Sequence, residues 1–252
     1  MTIDRPAPEQ IPQLRSLWQQ AFGDSEAFLD DFFSTGFSPD RCRCVTVANR
    51  PAAALYWFPA QGGDTKLAYL YAVATDVAFR GQGLCHRLME DTHRHLAAQG
   101  FQGTLLVPGS SSLVSFYAGM GYTPFSTIRE FSCTAKRPAV PLRKVDVSEY
   151  AALRAKLLPP GSVLQEGATL AFLQTQTDFY AGDHVLLAAV KSGDTLTVTE
   201  LLGDPACASG IVAQLGAAKG LFRTPGDGRS FAMYRCLSGK PLPGGYFGLA
   251  LD

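Results

Sequence analysis

The chain has 252 residues and a mass of 27.0 kDa, room for one large domain or two modest ones with buried cores. Twenty-two Lys and Arg balance twenty-two Asp and Glu, so no net positive field drives binding to nucleic acid or to an anionic membrane. With 46% hydrophobic and 17% charged residues the composition is that of a folded globular protein, and no apolar run approaches the roughly 18 residues of a membrane span.

The first residues, Met1-Thr2-Ile3-Asp4-Arg5-Pro6, lack the basic region and apolar stretch of a secretion signal, so a cytoplasmic, soluble protein is expected. The six cysteines fit that compartment as buried or idle thiols. Neither they nor the four histidines have zinc-type spacing, and His93 and His95 fall on different faces of one helix; no metal is expected.

In chain order, Ile11, Leu14, Leu17, Trp18, Ala21 and Phe22 recur at helical spacing behind Pro12. Asp24 is placed to cap a second helix carrying Phe28, Leu29, Phe32 and Phe33. The period then changes to that of strands at Cys44–Ala48, Ala53–Phe58 and Leu67–Thr75. A glycine-rich turn, Arg80-Gly81-Gln82-Gly83, opens a helix to about Gln99, with Leu84, Leu88, Met89 and Leu96 inward. Thr104–Val107 is a buried strand, Ser111–Ala118 a short helix and Tyr122–Cys133 a strand region. A linker around Ala135–Pro141, holding Pro138 and Pro141, separates this half from a second that repeats part of the same order of elements. Helices are expected near Val147–Leu158, Gly167–Tyr180 and Ala206–Ala218, and strands at His184–Val190, Thr195–Leu202 and later.

The most informative segment is the strand, turn and helix from Tyr71 to Cys85. A helix N-terminus leaves backbone N–H groups unpaired and carries about half a positive charge, so it cradles phosphate oxygens, and glycines let the ligand approach. A Rossmann fingerprint is excluded because His86 stands at the third glycine position and no acidic residue follows about 20 positions on. A P-loop is excluded because Gly239-Lys240 lacks its first glycine.

What remains, Arg80-Gly81-Gln82-Gly83-Leu84-Cys85, resembles the R-x-x-G-x-(G/A) pyrophosphate loop of the GNAT superfamily of acyl-CoA-dependent N-acyltransferases. Leu105-Leu106-Val107-Pro108, the helix from Ser110 to Phe116-Tyr117 and the turn Gly121-Tyr122 extend the resemblance over about residues 1–133. The chain is especially similar to the tandem-GNAT branch that includes the enhanced-intracellular-survival aminoglycoside acetyltransferases. Two positions depart from the pattern: Cys85 replaces the usual Gly or Ala, and Ser110 stands where Asn is frequent.

The resemblance implies an α/β protein. A GNAT domain at residues 1–136, a mixed sheet flanked by helices, precedes a degenerate GNAT-like half at 137–252 that lacks a pyrophosphate loop. It further implies acetyl-CoA as co-substrate, held by Arg80, Gly81, Gln82, Gly83, Leu84 and Cys85, by the strand at Val73, Ala74 and Thr75, and by Ser110. A backbone N–H near Val73 would stabilise the oxyanion. Tyr117, four residues before Gly121, would be the general acid, because a phenol near about 10 can protonate a thiolate whose conjugate acid is near about 8.5. The base is open among Asp76, Glu130, the terminal Asp252 carboxylate and ordered water. The aromatics Phe28, Phe32, Trp57, Phe58, Tyr69 and Tyr71 are candidates for lining an acceptor pocket, although stripes at helical and strand periods are usually core. The apolar run from Gly244 to Asp252 is expected as a strand-like tail tied into a sheet beside the acceptor.

The function expected is acetyl transfer from acetyl-CoA to a primary amine, on a small molecule or a peptide, by direct attack in a ternary complex. A non-catalytic acyl-CoA sensor and a tandem-GNAT aminoacyltransferase using charged tRNA are the alternatives; the zero net charge counts against the second.

Overall fold

The computed structural model describes residues 1–251, and the chain forms two compact units. The first comprises Met1–Leu106, Ser110–Tyr122 and Tyr234–Leu242; the second comprises Val107–Gly109, Thr123–Met233 and the chain from Pro243 onward.

The first unit opens with strand β1 (Thr2–Asp4) and helix α1 (Ile11–Phe22). Pro12 sits in the first turn of α1, and Leu14, Leu17 and Trp18 form its buried face. Gly23, at φ +74°, ends the helix by giving its N–H to the Gln19 carbonyl. Helix α2 (Glu26–Asp31) follows, and here the expected cap is corrected. The Ser25 hydroxyl accepts the Phe28 N–H at 3.2 Å, while the Asp24 carboxylate takes the Trp18 indole N–H at 2.7 Å.

Strands β2 (Cys42–Val47), β3 (Arg50–Gly62) and β4 (Thr65–Thr75) form an antiparallel meander that pairs with β1 through β2. Helix α3 (Leu84–Ala98) then crosses over to strand β5 (Gly103–Leu106), which pairs parallel to β4. The buried stripe of α3 includes all four side chains expected inward, Leu84, Leu88, Met89 and Leu96. Helix α4 (Ser111–Ala118) follows, and a strand from late in the chain, Met233–Cys236, pairs beside β5 in this sheet.

The second unit contains β6 (Thr123–Pro124), β7 (Thr127–Thr134), β8 (Arg143–Lys144), α5 (Val147–Leu157), β9 (Val163–Gln165) and α6 (Ala168–Gln176). It continues with β10 (Asp178–Ala181), β11 (Val185–Ser192), β12 (Thr195–Gly203), α7 (Ala208–Gln214), β13 (Lys219–Pro225) and β14 (Arg229–Ser230). Its mixed sheet runs β14-β7-β13-β12-β11-β10-β8. Both units are therefore mixed α/β, as the element order implies.

Three expectations for this unit are corrected. The helix expected to reach Tyr180 stops at Gln176, because Phe179 alternates inward from a strand and stacks on Tyr150 with centroids 4.0 Å apart. The helix expected from Ala206 begins as a 3₁₀ turn, Pro205–Cys207, and ends by Gln214. The C-terminal run forms no strand up to Leu251. Its consecutive carbonyls are instead met one by one: Tyr246 by the Val163 N–H at 2.9 Å, Phe247 by the Ser126 hydroxyl at 3.0 Å, Gly248 by Arg223 at 3.2 Å and Leu249 by the Gln165 amide at 2.8 Å. Tyr246, Phe247, Leu249 and Ala250 are buried in consequence.

Candidate active site

The geometry around the glycine-rich turn begins in β4. Its register against β3 shifts between Ala54, opposite Ala74, and Tyr56, opposite Tyr71, so Ala72 and Val73 together face the single residue Leu55. This is a β-bulge, and Ala72 carries it at φ +49°. On the other side, β5 pairs with β4 only from Leu67 to Tyr69. Beyond that point the β4 backbone, through Val73, Ala74 and Thr75, has no ladder partner on its β5 side among the described residues, and such an edge can accept an extended ligand as a further strand.

After Thr75 the chain makes a 3₁₀ turn, Val77–Phe79, capped by Asp76, whose carboxylate accepts the Ala78 N–H at 2.9 Å. Arg80 turns back to give its Nε–H to the Thr75 carbonyl at 3.2 Å, tying the loop to the strand end. Gly81 at φ +76° and Gly83 at φ +71° then bring the chain into α3, and an added Cβ at either would meet no atom within 4 Å. The space at both glycines is open, and no side chain among the described residues caps α3. Its first N–H groups, those of Gly83, Leu84 and Cys85 among them, are thus free to face an anion. Gly81, Gln82 and Gly83 are exposed, whereas the Leu84 side chain belongs to the core, so only its backbone can serve a ligand.

Cys85 lies in the first turn of α3, and burial pushes its thiol up to about 11. That thiol and the Tyr117 phenol are close enough to influence each other electrostatically, which brings the loop and the expected acid together. Tyr117 is the one buried residue of α4. Burial, and then Cys85, push its phenol well above the usual range, so it stays protonated at neutral pH. Its hydroxyl has no hydrogen-bond partner among the described residues, and its ring packs edge-on against Phe116 and Tyr122. Ser110 is the N-cap of α4, its hydroxyl accepting the Leu113 N–H at 3.3 Å and meeting the Ser112 hydroxyl at 2.9 Å.

The candidate bases fare differently. Asp76 is occupied by its turn. Glu130 lies on β7 in the second unit, paired with Arg229 at 2.6 Å, and that pairing holds its carboxyl below the usual carboxylate range. Asp252 lies outside the described residues. Of the aromatics, Phe32, Trp57, Phe58 and Tyr69 are core residues, while Phe28 and Tyr71 are half-buried.

A polar cluster that the sequence does not announce lies behind Tyr117. His93 and Glu90 of α3, Thr104 of β5, Tyr122 and Arg235 of the late strand are joined by hydrogen bonds in the first unit. A histidine within the apolar stripe of α3 is the only sequence signal for it.

The second unit repeats the strand end without the loop. Its register shifts between Ala188, opposite Glu200, and Ala189, opposite Val198, leaving Thr199 bulged. After β12 the Asp204 carboxylate accepts the Ala206 N–H at 2.9 Å, as Asp76 does for Ala78. A 3₁₀ turn follows in both units, but α7 then starts directly at Ala208, with no counterpart of Arg80-Gly81-Gln82-Gly83.

Among the described residues no group of three or more His, Cys, Asp or Glu could hold a metal ion, and no helix is long and apolar enough to cross a membrane. A family model described as acetyltransferase (GNAT) domain matches residues 2–125. No curated protein matches the sequence. A GCN5-related N-acetyltransferase from Kribbella flavida is similar over 94% of this chain and 72% of its own, at 16% identity and a TM-score of 0.73. Eis1 from Mycobacterium abscessus is similar over 94% of this chain and 74% of its own, at 12% identity and a TM-score of 0.70. A tandem GNAT protein from the clavulanic acid biosynthesis pathway aligns over 95% of this chain and 99% of its own, at 9% identity and a TM-score of 0.57. At these identities the likeness is one of fold.

Proposed function

The chain belongs to the GNAT acetyltransferases through residues 2–125, and from that premise we propose that it moves an acetyl group from acetyl-CoA to a primary amine by direct attack in a ternary complex. The observation that carries the reading is the uncapped N-terminus of α3 behind Gly81 and Gly83, with open space in front of both glycines. Residues fit for the co-substrate surround it. The N–H groups of Gly81, Gln82, Gly83, Leu84 and Cys85 take the pyrophosphate, with Arg80 bracing the loop. The free edge at Val73, Ala74 and Thr75 takes the pantetheine amides, and Ser110 flanks the arm.

Bound acetyl-CoA supplies an acetyl group activated as a thioester. The Val73 N–H, which lies in the bulge, stabilises negative charge as it develops on the carbonyl oxygen. Tyr117 gives its hydroxyl proton to the departing sulfur. A C–N bond forms and the C–S bond breaks; water takes the amine's surplus proton, and a proton from water restores Tyr117. Asp76 and Glu130 are unsuited to that last role because each is committed to its own partner. The second unit, lacking the four-residue loop, binds no second co-substrate.

The test is thiol release from acetyl-CoA with polyamines, aminoglycosides, amino acids and peptides, with products identified by mass. An acetylated amine formed at a catalytic rate is expected. Tight acetyl-CoA binding with no amine acetylated across the panel would favour a sensor instead.

A further inference from the structure

The cluster behind Tyr117 joins four stretches of chain, and its hydrogens can be assigned from chemistry alone. Arg235 NH1 lies 2.6 Å from Glu90 Oε1 and 2.9 Å from His93 Nδ1. A guanidinium only donates, so His93 Nδ1 must accept, and the proton of the neutral ring sits on Nε2. Nε2 lies 2.9 Å from the Tyr122 hydroxyl and therefore donates to it. The Tyr122 O–H is then left to donate to Thr104 Oγ1 at 2.8 Å. The other tautomer would set the Nδ1–H against the N–H of Arg235. His93, Tyr122 and Thr104 are 3%, 2% and 0% exposed, so water cannot replace a bond lost here.

Tyr122 is thereby fixed at both ends. Its N–H bonds the Tyr117 carbonyl at 3.1 Å across the turn at Gly121, and its hydroxyl is held by His93 and Thr104. The Tyr117 ring rests edge-on against this fixed ring, with centroids 5.7 Å apart. His93 belongs to the helix that begins at the glycine loop, nine residues and about 13 Å along it.

We propose that His93 is a positioning residue: with Arg235 fixing its tautomer, it holds Tyr122, and through Tyr122 the Tyr117 phenol, at a set distance from the loop. The inference rests on the reading of Tyr117 as general acid, and it concerns a group that touches neither substrate.

The experiment uses the full chain, acetyl-CoA and the best amine of the panel, with Tyr117→Phe, His93→Leu, His93→Gln and the double variant Tyr117→Phe/His93→Leu. His93→Leu is expected to lower kcat about 10- to 100-fold while acetyl-CoA affinity holds. His93→Gln should recover most of the rate, because its amide oxygen can accept from Arg235 and its NH₂ can donate to Tyr122. In the Tyr117→Phe background, His93→Leu should cost nothing further. Losses that multiply, or an unchanged kcat in His93→Leu, would overturn the inference and leave Tyr117 as the acid. An unchanged kcat in Tyr117→Phe itself would remove the general-acid reading and the inference with it. Should His93→Leu fail to fold, nitrogen NMR of the wild-type imidazole decides: the Nε2–H tautomer supports the assignment and the Nδ1–H tautomer overturns it.

Discussion

Tyr117 combines burial with a hydroxyl that no described residue engages, an arrangement that leaves a protonated phenol with its proton uncommitted. Tyr117→Phe should lower kcat by about 10²–10⁴-fold while acetyl-CoA affinity changes little. A drop below about threefold with chemistry rate-limiting would demote the residue to packing. His93 gives a second residue-scale prediction, this one on stability. Burial, then Arg235, lower it to about 4, with Glu90 opposing and His86 adding a small repulsion, while Tyr122 faces Nε2. An unfolded histidine titrates near about 6.5, so between 6.5 and 4 the unfolded state binds more protons. Its contribution is complete above 6.5 and falls as pH drops through 4, by about 3 kcal/mol in all. Urea unfolding from pH 7.5 to 4 should lose stability more steeply for wild type than for His93→Gln; parallel curves would contradict the assignment.

At the scale of elements, the two units end a bulged strand in the same way and then differ by four residues. Asp76 and Asp204 cap equivalent 3₁₀ turns, and only the first unit inserts Arg80-Gly81-Gln82-Gly83 before its helix. That difference was legible in the sequence because it is local: glycines, a strand before them and an apolar stripe after them suffice. The α4 helix was equally legible, and it gives a prediction, since Tyr117 is its one buried anchor. Ser110→Ala should cost about 1 kcal/mol of helix stability, seen as faster hydrogen exchange at Leu113 and Val114, while Ser110→Asp should not. Unchanged exchange would mean that the cap is idle. What the sequence hid was non-local. Arg235 reaches Glu90 across 145 positions, and no periodicity marks it. Only Thr177, neither glycine nor proline, separates helix-ending Gln176 from strand-opening Asp178, so the switch from helix to strand depends on Phe179 finding Tyr150. The apolar tail reads as a strand, yet side chains of Ser126, Gln165 and Arg223 satisfy carbonyls that a ladder would otherwise take.

At the scale of the whole molecule, the second unit has a mixed sheet of its own, and its α7 follows the 3₁₀ turn directly, with no counterpart of Arg80-Gly81-Gln82-Gly83. Its buried centre is an ion pair: Arg154 meets Glu200 at 2.7 and 3.0 Å, and the Tyr150 hydroxyl donates to the same carboxylate at 2.9 Å. Arg154→Leu would strand a buried carboxylate and should destabilise the protein by about 3–5 kcal/mol in urea unfolding, whereas a surface pair such as Arg5 with Asp40 should be worth under about 1 kcal/mol. The same variants bear on function only through stability, because neither touches the loop. The central claim is that one acetyl-CoA binds each chain at Arg80–Cys85. Calorimetric titration of acetyl-CoA into the wild type and into Gly83→Glu tests it most directly. The substitution adds a negative charge beside the free N–H groups of α3, and its strain at φ +71°, on the order of 1–2 kcal/mol, is small beside a domain's stability. One site per chain in the wild type and no detectable binding in a folded Gly83→Glu is the result predicted. Unchanged affinity in the folded variant, or two sites per chain, would contradict it.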